Sequence, residues 1–286
     1  VHQHFTRSSR KKPHVAAAAT IAPANDMPLP FLDHFALHGN AFNPDTGQLA
    51  EYLELSKCSE GALWIESCKD EFGRLCQGHG LDMPTGTNTM FFIPKSAIPK
   101  HKKATYLRIV TAHRPEKKNP RRVRFTAGGN QIDYAGDVST KTADLTTVKT
   151  FFNSVISTPK ARFMTADLKD FYLETPMEEF EYMRIPVAII PDSIMTEYKL
   201  APLVDHDHVY IEIQKGMYGL PQAGRLANDR LIAFLAPKGY APVPITHGLW
   251  KHNASDLMFT LVVDDFGIKF TNTADAEHLM TTLKEL

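Results

Sequence analysis

Apolar positions recur along this chain on two different periods, and the changes of period mark its elements. From Gly61, the residues Leu63, Trp64, Cys68, Phe72, Leu75 and Cys76 fall at helical spacing, with Glu66, Lys69, Asp70 and Arg74 between them. That pattern predicts an amphipathic helix closed by Gly78 and Gly80. Residues 89–93 read as a short strand stopped by Pro94, and residues 105–111 and 122–126 as two more. Residues 144–156 predict a helix with Leu145, Val148, Phe152 and Val155 on one side, and residues 163–166 begin another strand. Across residues 208–214, Val209, Ile211 and Ile213 alternate with Tyr210 and Glu212, the period of a half-buried strand. Residues 225–236 predict a helix, with Leu226, Leu231, Phe234 and Leu235 apolar, stopped by Pro237 and Gly239. Two apolar runs surround Asp264-Asp265 within residues 257–270. A last helix is expected over residues 274–286, with Thr273 as N-cap and Asp275 and Glu277 in its first turn. Its apolar residues Leu279, Met280, Leu283 and Leu286 face a core.

Helices and strands mix without strict alternation and without internal repeats, which predicts an α+β fold. Residues 1–60 read as a mostly irregular linker, because Pro, Ala, His and Asn dominate the first fifty with no sustained period. Residues 11–24 imitate a secretion signal, but strong apolar residues are few there and the chain begins at Val1 rather than Met. A chain of 286 residues with 43% hydrophobic and 22% charged positions can bury a real core. No apolar run approaches the ~18 residues that span a bilayer, so no membrane partner is expected. Cys58, Cys68 and Cys76 are odd in number and confined to one region, which argues against a disulfide framework and suits a reducing compartment. Cys68, Cys76 and His79 supply only three candidate zinc ligands at no common finger spacing, so the two cysteines read as buried thiols on the helix's apolar stripe.

The formal net charge is zero, yet it averages two opposite blocks. Between Lys95 and Arg124 stand eleven Lys/Arg against the single acid Glu116, a balance of +10. Between Thr165 and Asp207 stand ten acids against Lys169, Arg184 and Lys199, a balance of −7. Such a chain suits metal-dependent chemistry on a polyanion, with an acidic pocket in the second block; two solvated faces are the plainer alternative.

The sharpest chemistry lies at Asp264-Asp265. Two apolar strands joined by two residues make a tight hairpin that places two carboxylates at its tip. Adjacent anions repel, so a divalent cation would compensate them, although Asp also simply favours turns. Asp167 ends a strand-like run 97 residues earlier and would complete a three-carboxylate cup if the fold pairs the two strands. Magnesium takes oxygen ligands and leaves room for water and phosphate. Asp205-His206-Asp207-His208 reads as a polar turn, and Trp64 and Trp250 as packing residues.

Taken in order, Asp167-Leu-Lys-Asp-Phe-Tyr172, Gly219-Leu-Pro-Gln-Ala-Gly224 and Val262-Val-Asp-Asp265 resemble the three core motifs of a reverse transcriptase. The nearest likeness is to copia-like long-terminal-repeat retrotransposon polyproteins. Upstream, Arg122-Val-Arg-Phe-Thr-Ala-Gly-Gly129 followed by Ile132-Asp-Tyr134 resembles the fingers segment, so the likeness runs from about Gly61 to Leu286. The resemblance implies a polymerase-type fingers and palm, with the palm sheet flanked by helices and the chain truncated before the thumb. Residues 61–160 would be fingers-like and residues 161–286 an incomplete palm. It implies RNA- or DNA-templated addition of deoxynucleotides to a primer by two-metal phosphoryl transfer.

By the same likeness, Asp167, Asp264 and Asp265 would hold two Mg²⁺ ions, with Mn²⁺ as a substitute, and the Leu168 carbonyl would join them. Tyr172 would pack under the sugar and exclude a 2′-hydroxyl, with Asp170 near the same pocket; a core aromatic and a solvated acid are the plainer readings of the two. Gln222 and Gly224 would border the incoming nucleotide and template base, with the helix near Arg225 aiming its positive end at phosphate. Arg124 would grip the triphosphate through its guanidinium fork, with Arg122 the competing choice, and the rest of the basic tract would follow the template–primer backbone.

Three departures stand out. Val262 occupies a position that is often aromatic, Ala223 intervenes between Gln222 and Gly224, and the chain stops one helix after the hairpin. The implied partners are a template with primer, deoxynucleoside triphosphates, and the remaining thumb, ribonuclease H and integrase domains of a polyprotein. The implied location is cytoplasmic, in a retroelement particle, or nuclear. Two competing expectations remain: an inert remnant that only binds nucleic acid, and an untemplated palm-type nucleotidyl transferase.

Overall fold

In the computed structural model, which describes residues 2–5, 41–115 and 118–286, two segregated sets of strands organise the chain. In chain order the elements are β1 (His2–Phe5), β2 (Ala41–Phe42), β3 (Leu49–Ala50), α1 (Tyr52–Leu55), α2 (Gly61–Leu75), β4 (Met90–Ile93), β5 (Ala104–His113) and β6 (Arg121–Ala127). Then follow α3 (Leu145–Ser157), β7 (Arg162–Asp167), β8 (Pro176–Pro186), α4 (Asp192–Glu197), β9 (His208–Lys215) and α5 (Ala223–Leu235). The last are β10 (Tyr240–Pro242), β11 (Leu249–His252), β12 (Met258–Val262), β13 (Asp265–Phe270) and α6 (Thr273–Lys284). The fold is α+β. The signal-like stretch at 11–24, most of the expected linker, and Glu116 and Lys117 of the basic tract lie outside the described residues.

The division of the chain differs from the expected break near residue 160. One unit combines residues 134–175 and 221–286 with β1; the other combines residues 41–133 and 176–220. The chain changes unit after Asp133, Thr175 and Leu220, because strands remote in sequence pair with each other. The expected linker is also shorter than 60 residues: β2 and β3 form a hairpin, and Ala41, Ala50, Tyr52 and Leu55 are buried. The amide of Ala41 donates to Thr111 Oγ1 at 2.9 Å, so apolar contact and a buried hydrogen bond both hold this segment. At the other end, β1 pairs antiparallel with β7, with His2 opposite Asp167.

The first unit has a six-stranded sheet in the order β1-β7-β13-β12-β11-β10. Its core gathers Met164, Ala166, Leu231, Trp250, Phe259, Phe266, Ile268, Leu279 and Leu283, so α5 and α6 bury their apolar stripes with the sheet. Trp250 and Phe259 stack at 5.4 Å, as expected of a packing tryptophan. Gly248 (φ +69) lets the segment at 142–143 run across this sheet, because a Cβ there would meet the Ala143 nitrogen at 1.9 Å. The contact is tied by Ala143 N donating to Leu261 O at 2.9 Å and Leu261 N to Gly248 O at 2.7 Å.

Two helix details depart from the sequence reading. Helix α3 buries Phe151, while Leu145 is 67% and Phe152 44% exposed. A polar clasp ties its C-terminal end to β13: Lys269 Nζ donates to Thr158 Oγ1 at 2.8 Å and Ser154 Oγ at 3.2 Å. Helix α6 is capped by Asn272, whose Oδ1 accepts from Ala274 N at 3.1 Å, rather than by Thr273. Thr273 is already helical, and its hydroxyl accepts from Arg162 instead.

The second unit has a five-stranded sheet in the order β4-β9-β8-β5-β6, antiparallel except for the β5–β8 pair. The sequence pattern hides β8, because Glu178, Glu179 and Glu181 interrupt its apolar face and a bulge shifts register between Pro176 and Glu181. The edge strand β6 is covered by α2. Ser67 Oγ accepts from Val123 N at 2.9 Å, and Glu71 Oε1 accepts from Phe125 N at 3.1 Å. Helix side chains thus stand where a further strand would pair, which blunts an exposed sheet edge. Trp64, Cys68, Phe72, Leu75 and Cys76 of the expected stripe are buried, while Leu63 is 48% exposed.

Candidate metal centre

Asp167, Asp264 and Asp265 converge at one end of the six-stranded sheet. Asp167 is the last residue of β7, Asp265 the first of β13, and the register sets them directly opposite each other. Asp264 lies in the two-residue turn between β12 and β13, and its carbonyl accepts from Leu168 N at 3.2 Å. One carboxylate oxygen from each of the three lies within 4.8 Å of the others. The sequence expectation places both hairpin aspartates at the tip; only Asp264 is in the turn, and Asp265 opens the strand.

Like charges directly opposite across strands destabilise a sheet. Burial, and then the Asp167 charge, push the Asp265 carboxyl above its ordinary value. The turn holds a second cost. Val263, the residue before Asp264, has φ 61°, a left-handed conformation that a β-branched side chain rarely takes. Strain and like-charge crowding coincide at three adjacent residues, as they do at functional sites.

The donor set is oxygen only, which suits a hard divalent ion such as Mg²⁺ or Mn²⁺ rather than zinc. No other group of His, Cys, Asp and Glu among the described residues has ligand geometry. Burial pushes the Cys68 thiol up to about 12 and raises Cys76 as well, as befits packed thiols, and His79 pairs with Glu197. Asp205–His208 forms the expected polar turn, with His206 and Asp207 at positive φ.

Beside the turn lies a small cleft lined by Thr140, Phe171, Tyr172, Gly224, Asn228 and Val263, among others. The structure therefore brings Tyr172 and Gly224 together next to the hairpin. Gly224 permits that approach: a Cβ there would meet Thr140 Oγ1 at 2.5 Å, with the Tyr172 hydroxyl 3.6 Å away. Gln222 does not line this cleft; it precedes α5 and is 2% exposed. Asp170 turns the chain after β7 in a left-handed conformation (φ 56°), with its carbonyl accepting from Glu174 N at 3.0 Å. Sequence reasoning passed over Thr140 and Asn228, which carry no motif.

Arg124 belongs to the second unit. It shares one face of β6 with Arg122, and its guanidinium lies over the Tyr218 ring at 5.1 Å. Part of the basic tract is engaged internally: Lys95 pairs with Asp205 at 2.7 Å, Lys102 with Glu181 at 3.0 Å, and Arg121 with Glu60. The acidic block does not form one pocket. Its members divide between the two units, Asp205 and Glu181 serve these ion pairs, and only Asp167 joins the carboxylate cluster. A scan of protein-family models finds no match to this chain, and no curated protein matches it at a significant level.

Proposed function

We propose that this chain carries the catalytic core of a reverse-transcriptase-type DNA polymerase, adding deoxynucleotides to a primer on an RNA or DNA template. The observation that carries the reading is the convergence of Asp167, Asp264 and Asp265, brought from 97 residues apart to within 4.8 Å. Two bound divalent ions would activate a primer 3′-hydroxyl and stabilise the leaving pyrophosphate. The three aspartates would hold them, with the crowded negative charge of the cluster supplying the attraction. The Leu168 amide fixes the turn by its bond to Asp264 O, so the ligands are set before substrate arrives. Tyr172 and Gly224, in the cleft beside Val263, would bound the nucleotide's sugar, with Asp170 near the same pocket and Gln222 bordering the incoming nucleotide. Arg124 would serve the triphosphate, since a guanidinium fork suits phosphate oxygens.

In this reading the protein binds a template–primer through sequence-independent, salt-sensitive contacts, and its further partners are the thumb, ribonuclease H and integrase domains of a retroelement polyprotein, in a cytoplasmic particle or the nucleus. No helix among the described residues is long and apolar enough to cross a membrane. The test is primer extension with Mg²⁺ or Mn²⁺ on RNA and DNA templates, run beside Asp264→Asn. Extension that the substitution abolishes while template binding persists supports the reading. Binding without extension by the parent chain supports a nucleic-acid-binding remnant instead.

A further inference from the structure

Helix α3 presents a face that its own fold does not use. Phe151 is buried, and the ring centroids of Phe152 and Phe163 on β7 are 4.7 Å apart, so the helix is held against the sheet. Leu145, Lys149, Phe152 and Ile156 stand four, three and four residues apart, the spacing of a single helix face. All four are exposed, Ile156 by 84%. Beside them Thr146, Thr150, Asn153 and Ser157 repeat the same spacing with polar side chains, also exposed. A helix face turned only to water carries residues of the second kind. An exposed apolar row with a polar rim marks a contact surface.

We propose that this face is a homodimer contact, on which a second copy of the chain packs its own α3 in the opposite direction. The inference stands apart from the polymerase reading. The spacing four, three, four reads the same from either end, so two antiparallel copies set Leu145 against Ile156 and Lys149 against Phe152, each pair twice. Lys149 selects the direction. A parallel pair sets the two ammonium groups against each other, whereas an antiparallel pair lays each over a Phe152 ring with its stem along apolar surface. The charges at the helix ends favour the same order. Asp144 caps α3 by accepting from Thr147 N at 2.6 Å, and Lys160 follows the last turn, so each acid approaches the other copy's lysine. One helix pair is a small interface, which makes the dimer a weak one, with a dissociation constant on the order of 100 μM.

Sedimentation of the whole chain from about 1 to about 1,000 μM reads the association, since that range brackets the expected constant. The mass is expected to rise from monomer to dimer across it. Ile156→Asp and Leu145→Asp, both at exposed positions, are expected to weaken association by about tenfold or more with the melting temperature unchanged. A chain that stays monomeric throughout overturns the proposal, and so does a dimer that either folded variant leaves intact. Direction is read by disulfide trapping at the dimer's concentration in a Cys58→Ser background, because Cys58 alone of the three cysteines is not buried. Chains carrying Leu145→Cys and Ile156→Cys are expected to cross-link when mixed and not when each is alone. A mixture that fails to cross-link, or either variant that links to itself, overturns the antiparallel contact.

Discussion

Glu71 and Asp167 are both carboxylates set against a strand, and their surroundings are opposite. Glu71, on the covered edge of the five-stranded sheet, receives Arg74 Nε at 2.9 Å, Arg74 Nη2 at 2.8 Å and the Phe125 amide at 3.1 Å. Asp167, at the end of the six-stranded sheet, faces Asp265 across the strands and has Asp264 within reach. The first charge is matched by donors and stabilises a sheet edge. The second is set against its own kind, which folding alone would not favour. A buried acid with its donors reads as architecture, and acids gathered at a strained turn read as a binding site.

The sharpest way to break this contrast is to neutralise one member of each set. Asp167→Asn is expected to lower primer extension by about a thousandfold, roughly 4 kcal/mol of transition-state stabilisation, with the melting temperature of the metal-free chain unchanged or higher. Steady-state extension rates beside thermal melts check both halves. Glu71→Ala should do the reverse to stability, costing about 3 kcal/mol in urea unfolding because Arg74 and the Phe125 amide lose a buried acceptor. An unfolding midpoint that barely moves would remove Glu71 from the architecture.

Next in size comes the ion itself. Adding Mg²⁺ or Mn²⁺ at a hundred times its dissociation constant should stabilise the fold by about 2.7 kcal/mol, and Asp264→Asn should erase most of that gain. Calorimetric melts over a metal series read this directly.

Smallest is the pH effect of Asp265. Its carboxyl holds its proton more tightly in the fold than in the unfolded chain, so metal-free stability should fall as pH rises from about the ordinary 3.8 through the raised folded value. Solvent screening keeps this below about 1 kcal/mol. Asp265→Asn should flatten that part of the stability–pH curve, and a curve that instead rises there would contradict the like-charge account.

Much of the local structure was legible because it depends on near neighbours. The stripe from Trp64 to Cys76 and the alternation at Val209, Ile211 and Ile213 emerged as α2 and β9. The two apolar runs around Asp264 emerged as a hairpin. Elements that depend on remote partners were missed. The acids of β8 are tolerated because Lys102 meets Glu181, and the three residues of β10 count as a strand only because β11 lies beside them. In α3, Val148 and Val155 of the expected side are half-buried and Phe152 meets Phe163, but the fully buried residue is Phe151, which the apolar count does not single out.

By itself the sequence determined several helical and extended stretches, α2 and β9 among them, the presence of a charged turn between apolar strands, and an acid at the end of an earlier strand. Tertiary structure alone decided that Asp265 stands opposite Asp167, that the chain changes unit four times, and that Tyr172, Gly224 and Val263 line one cleft. The reason is range: periodicity records the burial preference of each side chain against its close neighbours. Strand register and cleft walls are settled by which distant segments pair, and in a sheet a shift of one residue would turn every side chain of β13 to the other face.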